Sequence, residues 1–425
     1  MKAQRTEKGQ AIVLIALALV AMIGFGALAV DAGRDYAERR RAQNAADTAA
    51  FAAAFHASQN KNATNAELEA IALAQAAENG FVRDAKVDIA FYHPPIDPDY
   101  ATRPDADRFY QVIVSTAVAP IFSQVLSQGE RYIQVEAIAE VIPSRSLTDG
   151  NALHAASKDA SPAMWFAGGG GAKADVDGNV TVNGGNVFSN SSALVSGRMN
   201  GSGKITVNGG NILVVGGFDH VGSGLISPAP TPNVAPQALE DLPVPDCTTS
   251  ASFPERTYTN QPTMEPGLYK QNVKINNGDV HLKKGMYCFK DGFDFKGGRI
   301  SSDPEGVFLV VLGGDISING NSNSELYRPN GIEDQGGTMW SGMLIYVAGN
   351  GEVKITGGAS LDIAGTIYAP KSHCDIGGNS KPDTILGFSS SVVCDTVKVH
   401  GSAKVQINYR DEENAQLPPK IQLHH

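Results

Sequence analysis

A chain of 425 residues and 44.6 kDa exceeds one ordinary domain, and 42% hydrophobic content is enough to bury real cores, which excludes wholesale disorder. With 46 Gly and 22 Pro, about one residue in six is a turn former, so short strands and tight turns are expected over most of the length rather than long bundles. A net charge of −10 and a pI near 5.4 argue against a nucleic-acid binder, which would display a basic face. The four cysteines include no C-x-x-C pair, a pattern that disfavours zinc or a redox dithiol and suits two disulfides in an oxidising compartment.

The first element is Ala11 to Val30, twenty residues without a charge. As a helix it would be about 30 Å long, the thickness of a bilayer core. Lys2, Arg5 and Lys8 precede it as a basic cytoplasmic tail, residues 1–10. Ala27-Leu28-Ala29 has the A-x-A form of a signal-peptidase site, so a cleaved leader is the rival reading. Arg34, Arg39, Arg40 and Arg41 follow the span, so basic residues alone do not orient it. The cysteines and the Gly-rich remainder favour a single pass with the N-terminus in the cytoplasm and the bulk periplasmic or extracellular.

The helix is expected to continue past Asp31, since no proline interrupts it and nine of the sixteen residues from Ala42 to Ala57 are alanine. Ala42, Ala46, Ala49 and Ala53 form a smooth face on which another helix could dock, while the same helix packing on its own domain is the plainer alternative. Phe51 and Phe55 share a stripe at i, i+4. A second helix is signalled by Thr64 or Asn65 as cap, AELEAIALAQAAENG, and Gly80 as the stop. Alternating runs at 87–93, 109–118 and 132–142, with a short helix at Ile121–Leu126, predict a small α+β module over 31–142. Residues 143–167 read as a linker and 410–425 as a tail.

From 168 to 409 short β-branched runs keep meeting an Asn/Gly corner. Examples are Val180-Thr-Val-Asn-Gly-Gly-Asn, Ile205-Thr-Val-Asn-Gly-Gly-Asn, Val273-Lys-Ile-Asn-Asn-Gly and Val353-Lys-Ile-Thr-Gly-Gly. Aligning Gly184, Gly209, Gly278, Gly297, Gly320, Gly357, Gly377 and Gly401 gives spacings of 25, 69, 19, 23, 37, 20 and 24. Such a period predicts an all-β, right-handed parallel β-solenoid stacked coil upon coil, with a β-sandwich as the alternative. V-x-V runs point two apolar side chains inward, corner glycines permit positive φ, and equivalent asparagines can bond along the stack. The 69-residue step carries a Pro-rich excursion at about 226–266, and the 37-residue step an insertion between Glu325 and Trp340. Cys247 lies in the excursion, Cys288 on a strand, and Cys374 and Cys394 one coil apart. Pairing 247 with 288 and 374 with 394 is one of three connectivities.

No chemistry is concentrated anywhere. Gly168–Gly171 lacks a following Lys-Ser/Thr, Ser223 sits in no G-x-S-x-G elbow, and the nine histidines are scattered. Asp294, Asp315, Asp362 and Asp375 lie near strands, where a pair about 5–9 Å apart would suit glycosidic chemistry. Their outward positions fit ordinary solvated carboxylates, and Arg299 stands alone as a lyase-type base. No catalytic residue, metal site or cofactor is expected.

Three stretches in order carry a resemblance: Lys8-Gly-Gln-Ala-Ile-Val-Leu, Val30-Asp-Ala-Gly-Arg, and Arg40-Arg-Ala-Gln-Asn-Ala-Ala-Asp-Thr-Ala-Ala. The chain over 8–54, and more loosely to 142, resembles the TadE/TadG-like family of Flp pilus assembly, with Thr48 and Phe51 where that pattern has alanine and leucine. The glycine before the apolar run is similar to prepilins, but Leu14 stands where they have glutamate. The resemblance implies a non-enzymatic envelope component of a tight-adherence (type IVb pilus) system. Expected partners are the membrane, other pilus-assembly or envelope proteins, and an extracellular glycan or surface, with no nucleic acid. A surface adhesin sharing only the anchor, and a polysaccharide-acting enzyme, are the alternatives.

Overall fold

The structure is a computed structural model. It describes residues 8–60, 62–122, 129–168, 179–320, 323–357, 360–378, 385–389, 391–401 and 404–424. Lys2, Arg5, the expected helix beyond Phe122, Gly169–Gly171 and His425 lie outside the described residues. The chain forms two compact units, Met1–Ser144 with Pro418–His425, and Arg145–Leu417.

In the first unit a single helix, α1 (Lys8–Gln59), runs unbroken for 52 residues. Its N-terminal part is apolar and exposed, with a mean hydropathy of 2.8 over its most apolar window, long enough to cross a membrane. Helix α2 (Asn65–Glu78) starts at a capping box in which the Thr64 side chain and Glu67 satisfy each other's backbone N–H. It ends where Gly80 adopts φ +86° and Phe81 N–H bonds back to Ala76 O at 3.0 Å, a Schellman closure open to glycine. Strands β1 (Val87–Tyr92), β2 (Phe109–Val118) and β3 (Arg131–Ile142) form an antiparallel meander.

The alanines of α1 owe their place to size. Ala42, Ala45, Ala46, Ala49, Ala50, Ala53 and Ala54 are all fully buried against Leu68, Ala72 and Ala76 of α2 and Val112, Val114, Val135 and Ala137 of the sheet. Larger side chains would hold the helix off the sheet. The face Ala42, Ala46, Ala49, Ala53 is therefore occupied by its own module and is not open to a docking partner; the plainer alternative applies.

Residues 410–424, expected as part of a tail, are structured. Lys420–His424 forms a fourth strand antiparallel to β3, with Ile142 opposite Lys420 and Ile138 opposite His424. Ile421 and Leu423 pack on the core, which gives this short strand its reason to dock. The second unit is thus inserted in the chain between two paired strands of the first.

The second unit is mostly β, built of three parallel ladders; two belong to a 17-stranded sheet and the third is a 10-stranded sheet. Successive passes of the chain contribute one strand to each. In the third ladder Val180 pairs with Ile205 and Ile205 with Ile226, while the apolar residues of each strand point into one continuous core. Asn183 Nδ2 donates to Asn408 Oδ1 and Asn208 Nδ2 to Asn183 Oδ1, both at 2.8 Å, a ladder of amides along the strands. Gly184 beside them has φ +83°, and a Cβ there would lie 2.7 Å from Tyr409 O.

Three sequence expectations change. The passes are not stacked in chain order. From Asn151 the strands step outward to Leu225–Ser227, at one edge of the third ladder. The chain then re-enters at the opposite edges, with Glu255–Arg256 and Thr263–Met264, and works back until Lys404–Asn408 pairs with Asn179–Asn183, Val405 opposite Val180. The aligned corners also mix ladders: Gly184 and Gly209 follow strands of the third, the other six lie on the second. Both kinds of strand bury alternate residues before a Gly/Asn turn, so their local patterns are alike. Finally, residues 143–167 carry ladder strands Asn151–Ala155 and Met164–Gly168, mostly buried, rather than a linker.

Ala46→Glu puts an unpaired carboxylate into the alanine interface, so the first unit is expected to lose about 3 kcal/mol or more. Urea unfolding of the detergent-solubilised full chain checks this; an unchanged midpoint would mean the face is not buried.

Candidate functional surfaces

The outward face of the first ladder is covered. Met286, Cys288, Phe308, Val310, Tyr346, Tyr368 and Val393 point out from it and are buried with Leu239, Leu242, Cys247 and Phe253 of the Pro-rich excursion and Ile332 and Trp340 of the inserted hairpin. Proline withholds backbone donors, so this segment crosses the ladder as a strap and not as a further strand. Its contacts advance in order. Gln237 bonds with Asn151 and Asn190; the Tyr368 hydroxyl donates to Glu240 O and the Tyr346 hydroxyl to Leu242 O. Asp246 N–H donates to Asp334 of the inserted hairpin, whose Ile332 pairs with Trp340. Burial pushes the Asp334 carboxyl up, but donors from Trp340, Asp246, Thr338 and Gly336 outweigh it and hold the group below the usual range.

Cys247, in the strap, is bonded to Cys288 on the ladder (Cα–Cα 6.1 Å), and Cys374 to Cys394 on neighbouring strands (Cα–Cα 6.0 Å). The first bond ties the strap to the strands it crosses. The second joins two passes at the turn between the first and second ladders.

The second ladder presents an open row of outward side chains. Successive register partners are Lys274, Asp294, Ser317, Lys354, Asp375, Lys398, Trp165, Arg198 and Asp219. Charges of both signs are interleaved along the row, and several sit beside a polar or opposite partner. Asp294 lies 2.6 Å from Lys296, Asp375 2.7 Å from His400, and Arg198 3.1 Å from Asp219, with Lys398 over the Trp165 ring. Asp294 and Asp375 are three strand spacings apart, about 14 Å, too far to act as a glycosidic pair. Asp315 instead accepts the Glu352 N–H at 2.7 Å.

The third ladder carries a pair that sequence reasoning missed: Glu325 stands directly opposite Asp362. They border an open groove of about 350 Å³ with Ser360, Ser389, Gln406 and Asn408. Burial raises the Asp362 carboxyl, and Glu325 adds to it. Glu325 accepts the Tyr327 hydroxyl at 3.0 Å and lies 3.9 Å from Arg299. The 37-residue step hid the register, because the inserted hairpin separates two strands that are neighbours. Among the described residues no group of His, Cys, Asp and Glu could hold a metal ion.

Buried His154 lies against Phe188 with Nδ1 3.3 Å from Asn151 Nδ2, and desolvation lowers its pKa to about 4. At the start of the first unit, Asp31 is another buried acid. It accepts backbone N–H groups of Ile121 and Phe122 at 3.0 and 3.2 Å, and Arg131 lies 3.7 Å away. The sequence shows Asp31 as a charge after the span and a member of the Val30-Asp-Ala-Gly-Arg stretch, but not its backbone partners, which are some ninety residues away.

These features define a chain with an N-terminal helix long and apolar enough to cross a membrane, followed by a mostly β region of parallel ladders. Residues 9–59 match the family described as putative Flp pilus-assembly TadE/G-like, in agreement with the resemblance carried by the Lys8, Val30 and Arg40 stretches. Residues 255–414 match a domain of unknown function, DUF7305, and the match begins at the strand Glu255–Arg256. No curated protein and no solved structure matches the chain.

Two outcomes are expected. His154 is neutral when folded but binds a proton in the unfolded chain below pH 6.5, so stability falls as pH drops from there towards 4. The loss is about 3 kcal/mol at 1.36 kcal/mol per pH unit. His154→Gln should remove that part of the slope in denaturant midpoints taken at pH 7 and pH 4. Replacing Cys247 and Cys288 together by serine should cost about 2–4 kcal/mol. Limited proteolysis should then cut within the strap, which it spares in the parent chain.

Proposed function

We propose that the protein is a non-enzymatic, membrane-anchored component of a Flp/Tad (type IVb) pilus-assembly or tight-adherence system. The helix from 11 to 30 crosses the membrane with the N-terminus in the cytoplasm, and the bulk lies outside. The three ladders close into a right-handed β-solenoid, the hand that crossovers between parallel strands nearly always take. The observation that carries this reading is the coincidence of the TadE/G-like match at 9–59 with the long apolar helix. The unit from 31 to 142, completed by the C-terminal strand, engages the assembly machinery. The solenoid projects the open polar rows of the second and third ladders towards an extracellular glycan or surface.

The insertion between β3 and the C-terminal strand makes the test clean. Because Ile142 and Lys420 are register partners, residues 145–417 can be replaced by a short glycine-containing turn without losing a strand of the first unit. A strain lacking the gene is expected to lose surface pili, counted by electron microscopy, and the shortened chain to restore them while adherence stays low. Normal piliation in the deleted strain would sink the assembly role and leave the adhesin reading.

A further inference from the structure

Along α1 the β2–β3 hairpin keeps a fixed direction. Gln43 donates to Glu136 O, and lower down Arg131 pairs with Asp35 at 2.6 Å and approaches Asp31 at 3.7 Å. The last register pair of the hairpin is Val118 with Arg131, so its turn end faces the apolar span and not the far end of the module. The first residues of that turn are held to the helix: Arg34 lies 3.5 Å from Ala119 O, and Asp31 takes the N–H groups of Ile121 and Phe122. Asp31 is 2% exposed and is the residue next to Val30, about 1.5 Å along the axis from the end of the uncharged run.

What this pinned backbone presents is apolar. Ile121 is 52% and Phe122 49% exposed, with Tyr36 at 65% and Tyr132 at 77% close by in the chain order of the same elements. Single exposed apolar residues are ordinary. Here two lie at the level where the lipid-facing residues Leu28 and Val30, themselves exposed, come to an end. Tyrosines at that depth match the aromatic belt of membrane proteins, while isoleucine and phenylalanine belong deeper.

We propose that Ile121 and Phe122 enter the lipid interface beside α1, so that the module is held on the membrane at two points. Buried Asp31 is the positioning residue, its carboxylate fixing the turn to the helix. This rests on the reading of 11–30 as the span. A second contact fixes the rotation of the module about the helix axis, which a lone helix leaves open.

The test uses the full chain in phosphatidylcholine vesicles. Every native cysteine is disulfide-bonded, so one introduced cysteine takes a nitroxide label selectively. Phe122→Cys is compared with Leu19→Cys in the span and with Val82→Cys, an exposed site of the same module. Collision with oxygen against a water-soluble nickel chelate reports depth. The expected oxygen-to-nickel ratio at 122 is several-fold above that at 82 and approaches that at 19. A water-like ratio at 122 with a lipid-like one at 19 overturns the proposal alone. Low collision with both reagents at 122 means a protein surface covers the turn and also overturns it. A water-like ratio at 19 overturns the span itself.

Discussion

No strand of the second unit can bury its own apolar residues. Most are three to five residues long and offer two inward side chains, as Val273 and Ile275 do, and these leave water only against a parallel neighbour and the other strands that share the core. That requirement runs through the whole unit. It demands that Asn179–Asn183 find a partner beyond its own returning pass, and that partner is Lys404–Asn408, 225 residues away at the Asn183–Asn408 amide bond. The contact joins the first and last passes of the unit within the third ladder, and its high sequence separation makes it costly in loop entropy.

The strap follows from the same constraint. A chain that steps outward from its first pass and must return to it has to cross the passes in between. The Pro-rich segment makes the crossing, covering the aromatic outer face of the first ladder through Leu239, Leu242 and Phe253. The Cys247–Cys288 bond then prevents the segment from lifting away from strands it does not hydrogen-bond as a ladder. With one face covered, the outward polar rows of the unit belong to the other two ladders.

The first unit solves a different problem. A helix 52 residues long is apolar on all sides at one end and must bury only one face at the other. Alanine allows this: it keeps the helix continuous and lets the sheet come close, while Phe51 and Phe55 stay on the exposed stripe. The C-terminal strand returns to this sheet after the whole second unit has been traversed, so the module depends on both ends of the chain.

Local patterns were legible in the sequence wherever the physics is local. The uncharged run, the Thr64 cap, the Gly80 stop, the strands of the small module and the inward V-x-V pairs all read correctly, because hydrophobic period and turn chemistry act within a few residues. The anchor resemblance was legible for the same reason. Tertiary structure decided what meets what. It set the order of the passes, the burial of the alanine face, the pairing of Glu325 with Asp362, and the seat of Asp31 under a turn ninety residues on. Strands of two ladders share one pattern, and a side-chain period of two says which face is inward but not which neighbour lies beside it. That choice belongs to the chain as a whole, through the burial of one continuous core.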